Sequence, residues 1–326
     1  MKRILLALCV FTAIYARSQE SYSRTLRLMG SRFDITVVDT DSTKAHRYID
    51  MAVADISRIE KLISSWDSLS QTSRINKNAG IRPVKVDKEL FDLIERSLAI
   101  SQLTDGAFDI SYASMDALWK FDGSMTTIPD PEAIKRSVSR VGYKKIVLNR
   151  ENRTVFLKEK GMKIGFGGIG KGYAADHAKK MLMSEGVVSG IINASGDMNT
   201  WGKQANGEPW KVAITNPMDK NKVFALLPIQ HGAVVTSGNY EKYVTFNGIR
   251  YSHIIDPRTG YPSTGIISAT VFAPKAELAD ALATSVFVMG KEVGLNRINQ
   301  IPNVECILID GKGNIHTSDK IEIEKL

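Results

Sequence analysis

Gly165-Phe166-Gly167-Gly168-Ile169-Gly170-Lys171-Gly172-Tyr173 is the densest glycine run in the chain, and it leads straight into a helical pattern. Backbone N–H groups in such a loop can approach an anion closely, with a helix N-terminus behind them. Gly165, Gly167 and Gly170 satisfy G-x-G-x-x-G, the dinucleotide pattern of a Rossmann unit. Gly165, Gly170 and Lys171 come close to the P-loop pattern, but Gly172 stands where a Ser or Thr would hold Mg²⁺. A Rossmann unit also wants an acid about 20 positions on, at the end of the next strand. Here that strand ends near Asn193, and no acid comes before Asp197. Both patterns are formal matches only, and a purely structural glycine turn stays open beside an anion-binding one. The surroundings of the loop decide the fold.

Arg24 to Val38 alternates around a Met-Gly break and reads as two strands. Ser42 opens a helix with Ile49, Val53, Ile56, Ile59 and Ile63 at helical spacing, followed by a polar loop and a second helix from Lys88 to about Leu103. Ile146–Leu148 and Thr154–Leu157 predict a hairpin; after Gly172 a helix runs to Glu185 and a strand follows over Val187–Ile192. Beyond it come short β-rich runs at Lys211–Thr215, Val223–Leu227, Ala233–Thr236, Tyr243–Phe246 and Ile266–Phe272. One strong helix, Ala276–Met289, precedes a last hairpin in Glu305–Ser318. With no repeat and no break in composition, the order predicts one α+β domain with mixed or antiparallel sheets packed against helices, not a doubly wound sheet.

The 326 residues are 43% hydrophobic and 24% charged, as in an ordinary globular protein. Net charge is +8, but the basic residues are scattered, so no nucleic-acid partner is implied, whereas a polyanionic small molecule suits the balance. Met1-Lys2-Arg3 and the apolar run Ile4–Ala16 fit a secretory leader; the run is shorter than the roughly 20 residues that span a bilayer. Small residues at Ala16 and Ser18 place cleavage before Gln19, giving a leader over 1–18 and a mature domain over 19–326. Leu8 stands where a lipoprotein needs a small residue before Cys9, which disfavours lipidation. Cleavage removes three basic residues and no acid, lowering the net charge to +5, and leaves Cys306 without an internal disulfide partner. The expectation is an exported protein on the periplasmic side of an inner membrane, free or loosely membrane-associated.

Five histidines, none spaced as HxxxH, and one mature cysteine give no zinc set, and G-x-S-x-G is absent. Asp280 and Thr284 lie at i and i+4 on one face of an otherwise apolar helix. A carboxylate and a hydroxyl are hard oxygen ligands of the kind Mg²⁺ takes beside substrate phosphates. Taken alone the pair reads first as a surface acid next to a Thr bonded to its own helix. His253 reads as a proton acceptor, a phosphate contact or a hydrogen-bonded strand histidine. Asp256 to Gly260, which follow it, read as turn chemistry.

Eight motifs then fall in one order: Met29-Gly30-Ser31; Ser65-Trp66 through Ser73 to Asn76; Thr104 to Asp109; Gly168 to Asp176; Asn193-Ala194-Ser195-Gly196-Asp197; Thr236 to Tyr240; His253 to Gly260; and Ala279 to Thr284. This series, nearly the whole mature chain, resembles the ApbE family of FAD:protein FMN transferases. The resemblance implies a single α+β domain with a cofactor cleft and a Mg²⁺-dependent enzyme that moves FMN from FAD to a Ser or Thr of a client flavoprotein, releasing AMP. The client can itself be membrane-bound. By motif, Met29, Trp66, Ala107, Phe108, Asp109, Lys171 and Ile254 would contact FAD. Gly168, through its carbonyl, Asp280 and Thr284 would hold Mg²⁺, with His253 and Lys171 in catalysis. Trp66 replaces the usual Tyr, Ser195 the usual Gly, and Gly165 an Asp, so one carboxylate contact is missing. A Mg²⁺-dependent FAD pyrophosphatase giving FMN and AMP, and a non-catalytic flavin-binding protein, are the alternatives.

Overall fold

The computed structural model describes residues 18–215, 223–229, 232–239 and 243–321. Met1 to Arg17 of the expected leader, and Tyr240, lie outside the described residues. In chain order come β1 (Glu20–Leu28), β2 (Ser31–Asp39), α1 (Ser42–Ile63), α2 (Gln71–Lys77), β3 (Val84–Lys85) and α3 (Lys88–Leu103). A 3₁₀ turn (Ile110–Ser114), α4 (Pro131–Val138), β4 (Ile146–Asn149), β5 (Thr154–Leu157) and α5 (Gly170–Ser184) follow. Next are β6 (Gly190–Ala194), β7 (Asp197–Trp201), β8 (Trp210–Thr215), β9 (Val223–Ile229) and β10 (Gly232–Gly238). The last are β11 (Tyr243–Phe246), β12 (Ile249–Ser252), β13 (Ile266–Ala273), α6 (Ala276–Asn299), β14 (Glu305–Asp310) and β15 (Ile315–Thr317).

Eight strands form one sheet in the order β1-β2-β6-β7-β10-β13-β14-β15, antiparallel throughout. The fold is therefore α+β, as expected. Two of its hairpins turn on two residues with positive φ, Met29 (49°) with Gly30 (71°) and Ser195 (59°) with Gly196 (102°). That is the turn whose twist matches paired strands. Helices α1, α5 and α6 lie side by side against this sheet, α1 on β1 and β2, α5 on β6 and β7, and α6 on β10 and β13. The core fills the space between, from Phe33, Ile35 and Val37 of β2 through Ile49, Ile56 and Ile59 of α1 to Leu282, Val286 and Phe287 of α6. Removing one such fully buried Phe or Ile side chain costs about 2–5 kcal/mol. Smaller sheets (β3-β5-β4, β8-β9, β11-β12) flank this frame. No described helix is long and apolar enough to cross a membrane.

Local chemistry sets the ends of the elements. Asp41, not Ser42, caps α1, its carboxylate accepting from Thr43 N and Lys44 N. Part of the expected polar loop is α2, opened by Ser70 Oγ accepting from Ser73 N at 2.9 Å. Met289 does end the first part of α6: Gly290 breaks it at φ 77° and ψ −178°, and a second helical piece continues to Asn299. The strand expected at Val187–Ile192 begins at Gly190, where Trp201 packs so closely that a Cβ would stand 2.6 Å from its ring.

Candidate active site

A cleft of about 560 Å³ opens where the glycine loop, α6, the ends of β6, β7 and β10, and the segments around Phe108 and His253 converge. The loop owes its shape to tight packing. Gly165 N–H donates to Ile110 O at 2.9 Å and Gly170 N–H to Phe166 O at 2.7 Å, which turns the chain into α5. At Gly167 a Cβ would stand 2.5 Å from Tyr112 Oη, and at Gly172 it would overlap the Ala276 carbonyl. Glycine is thus demanded at 172, where α5 meets the backbone of α6, whereas at 167 an added Cβ would push the Tyr112 hydroxyl aside.

Lys171 projects from the first turn of α5 and forms an ion pair with Asp197. Asp280, buried on α6, accepts the Gly172 N–H through Oδ2 at 3.2 Å, and its Oδ1 has no hydrogen-bond partner among the described residues. Thr284, one turn on, brings Oγ1 within 3.5 Å of Ser237 Oγ and within 3.2 Å of the place a Cβ would take on Gly168. Burial raises the pKa of Asp280 against the opposing pull of Lys171 and the Gly172 N–H. Burial, then the Asp280 charge, raises that of Asp197, with Lys171 opposing. Burial alone would lower the pKa of Lys171, but the Asp280 and Asp197 carboxylates outweigh it and keep the side chain an ammonium.

The wall opposite carries Ala107, Phe108 and Asp109, delivered by a reversal after α3 in which Asp105 (φ 50°) and Gly106 (φ 76°) are both left-handed. Asp109 is occupied structurally as well: its carboxylate accepts from Ser111 N and Oγ at 2.8 and 2.6 Å and from Tyr143 N at 2.6 Å. Burial nevertheless raises its pKa against these bonds. His253 and Ile254 follow β12 along the rim; His253 is exposed and meets Phe121 edge-on at 6.5 Å. Asp256 accepts from Arg258 N at 2.8 Å, while Thr259 N and Gly260 N donate to its carbonyl, so Asp256 to Gly260 form the turn read from the sequence.

The structure thus gathers Ala107, Phe108, Asp109, Gly168, Lys171, His253, Ile254, Asp280 and Thr284 around one cleft. Met29 and Trp66 are not among the residues that line it. Met29 packs half-buried beneath the loop, its Cε 3.6 Å from where Gly170 would carry a Cβ, and Ser31 beyond it reaches the cleft. Trp66 is 95% exposed. Its neighbour Ser65 brings Oγ within 3.7 Å of the Cβ position of Gly165, so the chain next to Trp66 runs beside the glycine loop. Sequence reading assigned no role to Asp197, Tyr112 or Ser237, all of which line the cleft. For Asp197 the signal was an acid placed directly after a two-residue hairpin turn.

The oxygen donors fit a hard cation: an unengaged carboxylate oxygen on Asp280 and the Thr284 hydroxyl, with Gly168 beside it. Among the described residues no group of three His, Cys, Asp or Glu side chains is placed to hold a metal by itself, so a cation here would complete its shell with backbone, water or substrate oxygens. A lysine and a carboxylate–hydroxyl pair in one cleft suit a phosphate-bearing substrate.

The ApbE family pattern matches residues 29–308, and the chain belongs to the ApbE family. A Klebsiella pneumoniae (strain 342) protein named FAD:protein FMN transferase is 34% identical over 272 residues, 82% of this chain and 78% of its own. One of the same name from Treponema pallidum (strain Nichols) is 30% identical over 310 residues, 90% of this chain and 85% of its own. The crystal structure of the ApbE protein of Thermotoga maritima superposes with a TM-score of 0.83 at 32% identity, covering 92% of this chain and 97% of that one. The flavin transferase ApbE of Vibrio cholerae gives 0.79 at 26%, covering 92% and 98%.

Proposed function

We propose that this chain, a flavin transferase by family and fold, moves FMN from FAD to a Ser or Thr hydroxyl of a client flavoprotein, releases AMP, and requires Mg²⁺. The observation that carries this reading is the meeting of Lys171, Asp280, Thr284 and His253 around one cleft. In the reaction the client oxygen bonds to the FMN phosphorus, the bond from that phosphorus to the AMP oxygen breaks, and the hydroxyl proton leaves. Lys171 holds the negative charge of the pyrophosphate, and fixing charge and position supplies most of the catalysis in phosphoryl transfer. His253, exposed at the rim where a protein client can reach it, accepts the hydroxyl proton. Asp280 and Thr284 would hold the cation, together with the Gly168 carbonyl. Bound Mg²⁺ would neutralise the charge that develops on the departing AMP. Ala107, Phe108, Asp109 and Ile254 shape the flavin side of the cleft, and Met29 and Trp66 extend the FAD site beyond it.

The expected leader over 1–18 supports export, with the mature domain acting on the periplasmic side of the inner membrane. The test incubates residues 19–326 with FAD, Mg²⁺ and a flavoprotein fragment carrying an acceptor Thr, then weighs the fragment. A gain of one FMN, abolished by EDTA and by Asp280→Ala, is expected. FMN and AMP in solution with no mass gain would make water the acceptor and the protein a pyrophosphatase. Bound FAD with neither product would leave a flavin-binding protein.

A further inference from the structure

Two buried carboxylates of the cleft, Asp280 and Asp197, act on its one ammonium, so the ammonium has to choose. Lys171 feels both Asp280 and Asp197, yet its ion pair is with Asp197. The choice is built into the backbone. Asp197 opens β7 directly after the Ser195-Gly196 turn, opposite Ala194 in the main sheet, and Asn193 Oδ1 fastens that turn by accepting from Gly196 N at 2.8 Å. A sheet position and a fixed turn therefore set the carboxylate, and the long lysine chain comes to it. The consequence appears on Asp280, whose Oδ2 is taken by Gly172 N–H while Oδ1 stays open.

We propose that Asp197 is a positioning residue: it holds the Lys171 ammonium away from Asp280, so that Asp280 keeps a carboxylate oxygen available to a divalent cation. The inference rests on the magnesium reading of the site given above. Lys171 is only partly exposed, and an ammonium so placed and stripped of its partner seeks another. In Asp197→Asn, Lys171 turns to Asp280, the other carboxylate that acts on it, and a cation then has to displace an ion pair before it can bind. The site also becomes one unit more positive, which works in the same direction.

The test is Mn²⁺ binding without FAD, followed by the loss of the free-ion electron paramagnetic resonance signal. It compares the wild type with Asp197→Asn, Lys171→Met and the double variant, each checked for a cooperative melt. Asp197→Asn is expected to bind about 10–100-fold more weakly, the loss typical of removing an outer partner of a metal site. The double variant, with no ammonium left to intrude, is expected to recover most of that loss, and Lys171→Met alone to bind at least as tightly as the wild type. A merely structural Asp197 would not be rescued by a second substitution. Wild-type affinity in Asp197→Asn, or a double variant no better than it, overturns the proposal. So does a weakened Lys171→Met, a result that stands even if Asp197→Asn does not fold. A wild type that takes up no Mn²⁺ refutes instead the magnesium reading beneath it.

Discussion

Gly172→Ala tests whether the contact between α5 and α6 sets the geometry of the site. An added Cβ would stand 2.5 Å from the carbonyl carbon of Ala276 and 2.9 Å from Glu277 N, where ordinary contact begins at 3.4 Å. Relief thus requires the two helices to part by more than about 0.9 Å, because the Ala276 carbonyl oxygen lies nearer still. Neither side can yield alone, because the atoms met are backbone and the start of α6 is tied to Asp176 through the N–H groups of Ala276 and Glu277 at 3.0 and 2.9 Å. Overpacking of this kind costs about 1–3 kcal/mol, and backbone against backbone belongs at the upper end. Alanine returns up to about 1 kcal/mol of helix propensity, so the net loss is about 2 kcal/mol. That corresponds to about 4 °C in Tm for a domain of this size. Gly170→Ala is the control in the same helical turn: its Cβ meets the terminal methyl of Ile63 at 2.9 Å, which can rotate aside, and stability should stay within about 0.5 kcal/mol. Urea and thermal unfolding followed by circular dichroism measure both, and the Mn²⁺ titration should weaken only in Gly172→Ala, because Asp280 rides on the displaced helix. Equal stability of the two variants would refute the reasoning.

Three further outcomes are expected. His253→Ala should slow transfer about 100-fold or more while FAD affinity, read by flavin fluorescence, moves little; equal losses in both would make it a binding residue. Trp66→Ala removes a side chain that is 95% exposed, so the unfolding midpoint should not move while FAD binding weakens; intact FAD binding would take Trp66 out of the site. His177 has its pKa raised above 6.5, first by its hydrogen bond to Asp55, against partial burial. A raised folded-state pKa gives stability that is fully present below the unfolded value and lost as pH rises through the folded one. The stability gap between the wild type and His177→Gln should therefore be full below the ordinary histidine value of 6.5 and shrink as pH rises above it, and a constant gap would exclude the pairing as its source.

Where the sequence carries a strong period, it announces the structure. The alternation of Arg24 to Val38 became β1 and β2, and the isoleucine spacing became α1. The helix α2 stayed hidden because Gln71 to Lys77 is polar apart from Ile75, and its signal is the single cap at Ser70. Sheet order was not legible at all: β2 pairs with β6, and β7 with β10, across long stretches of chain that no local pattern encodes. In the site, Lys171, Asp280 and Thr284 could be found because motifs mark them, but the partner of Lys171 could not. Asp197 looked like the acid that came too late for a Rossmann strand, and only the hairpin shows that it points at the lysine.

Asp176 has a mechanical consequence. By accepting from Asn199 Nδ2 as well as from the first two N–H groups of α6, one carboxylate on α5 bolts both helices to the floor of the sheet. The side chains assigned to phosphate and to metal are thereby mounted on one rigid jaw. By contrast, residues 252–263, which carry His253 and Ile254 along the rim, lie outside the eight-stranded sheet and are joined to one another by an isolated bridge and a few main-chain bonds.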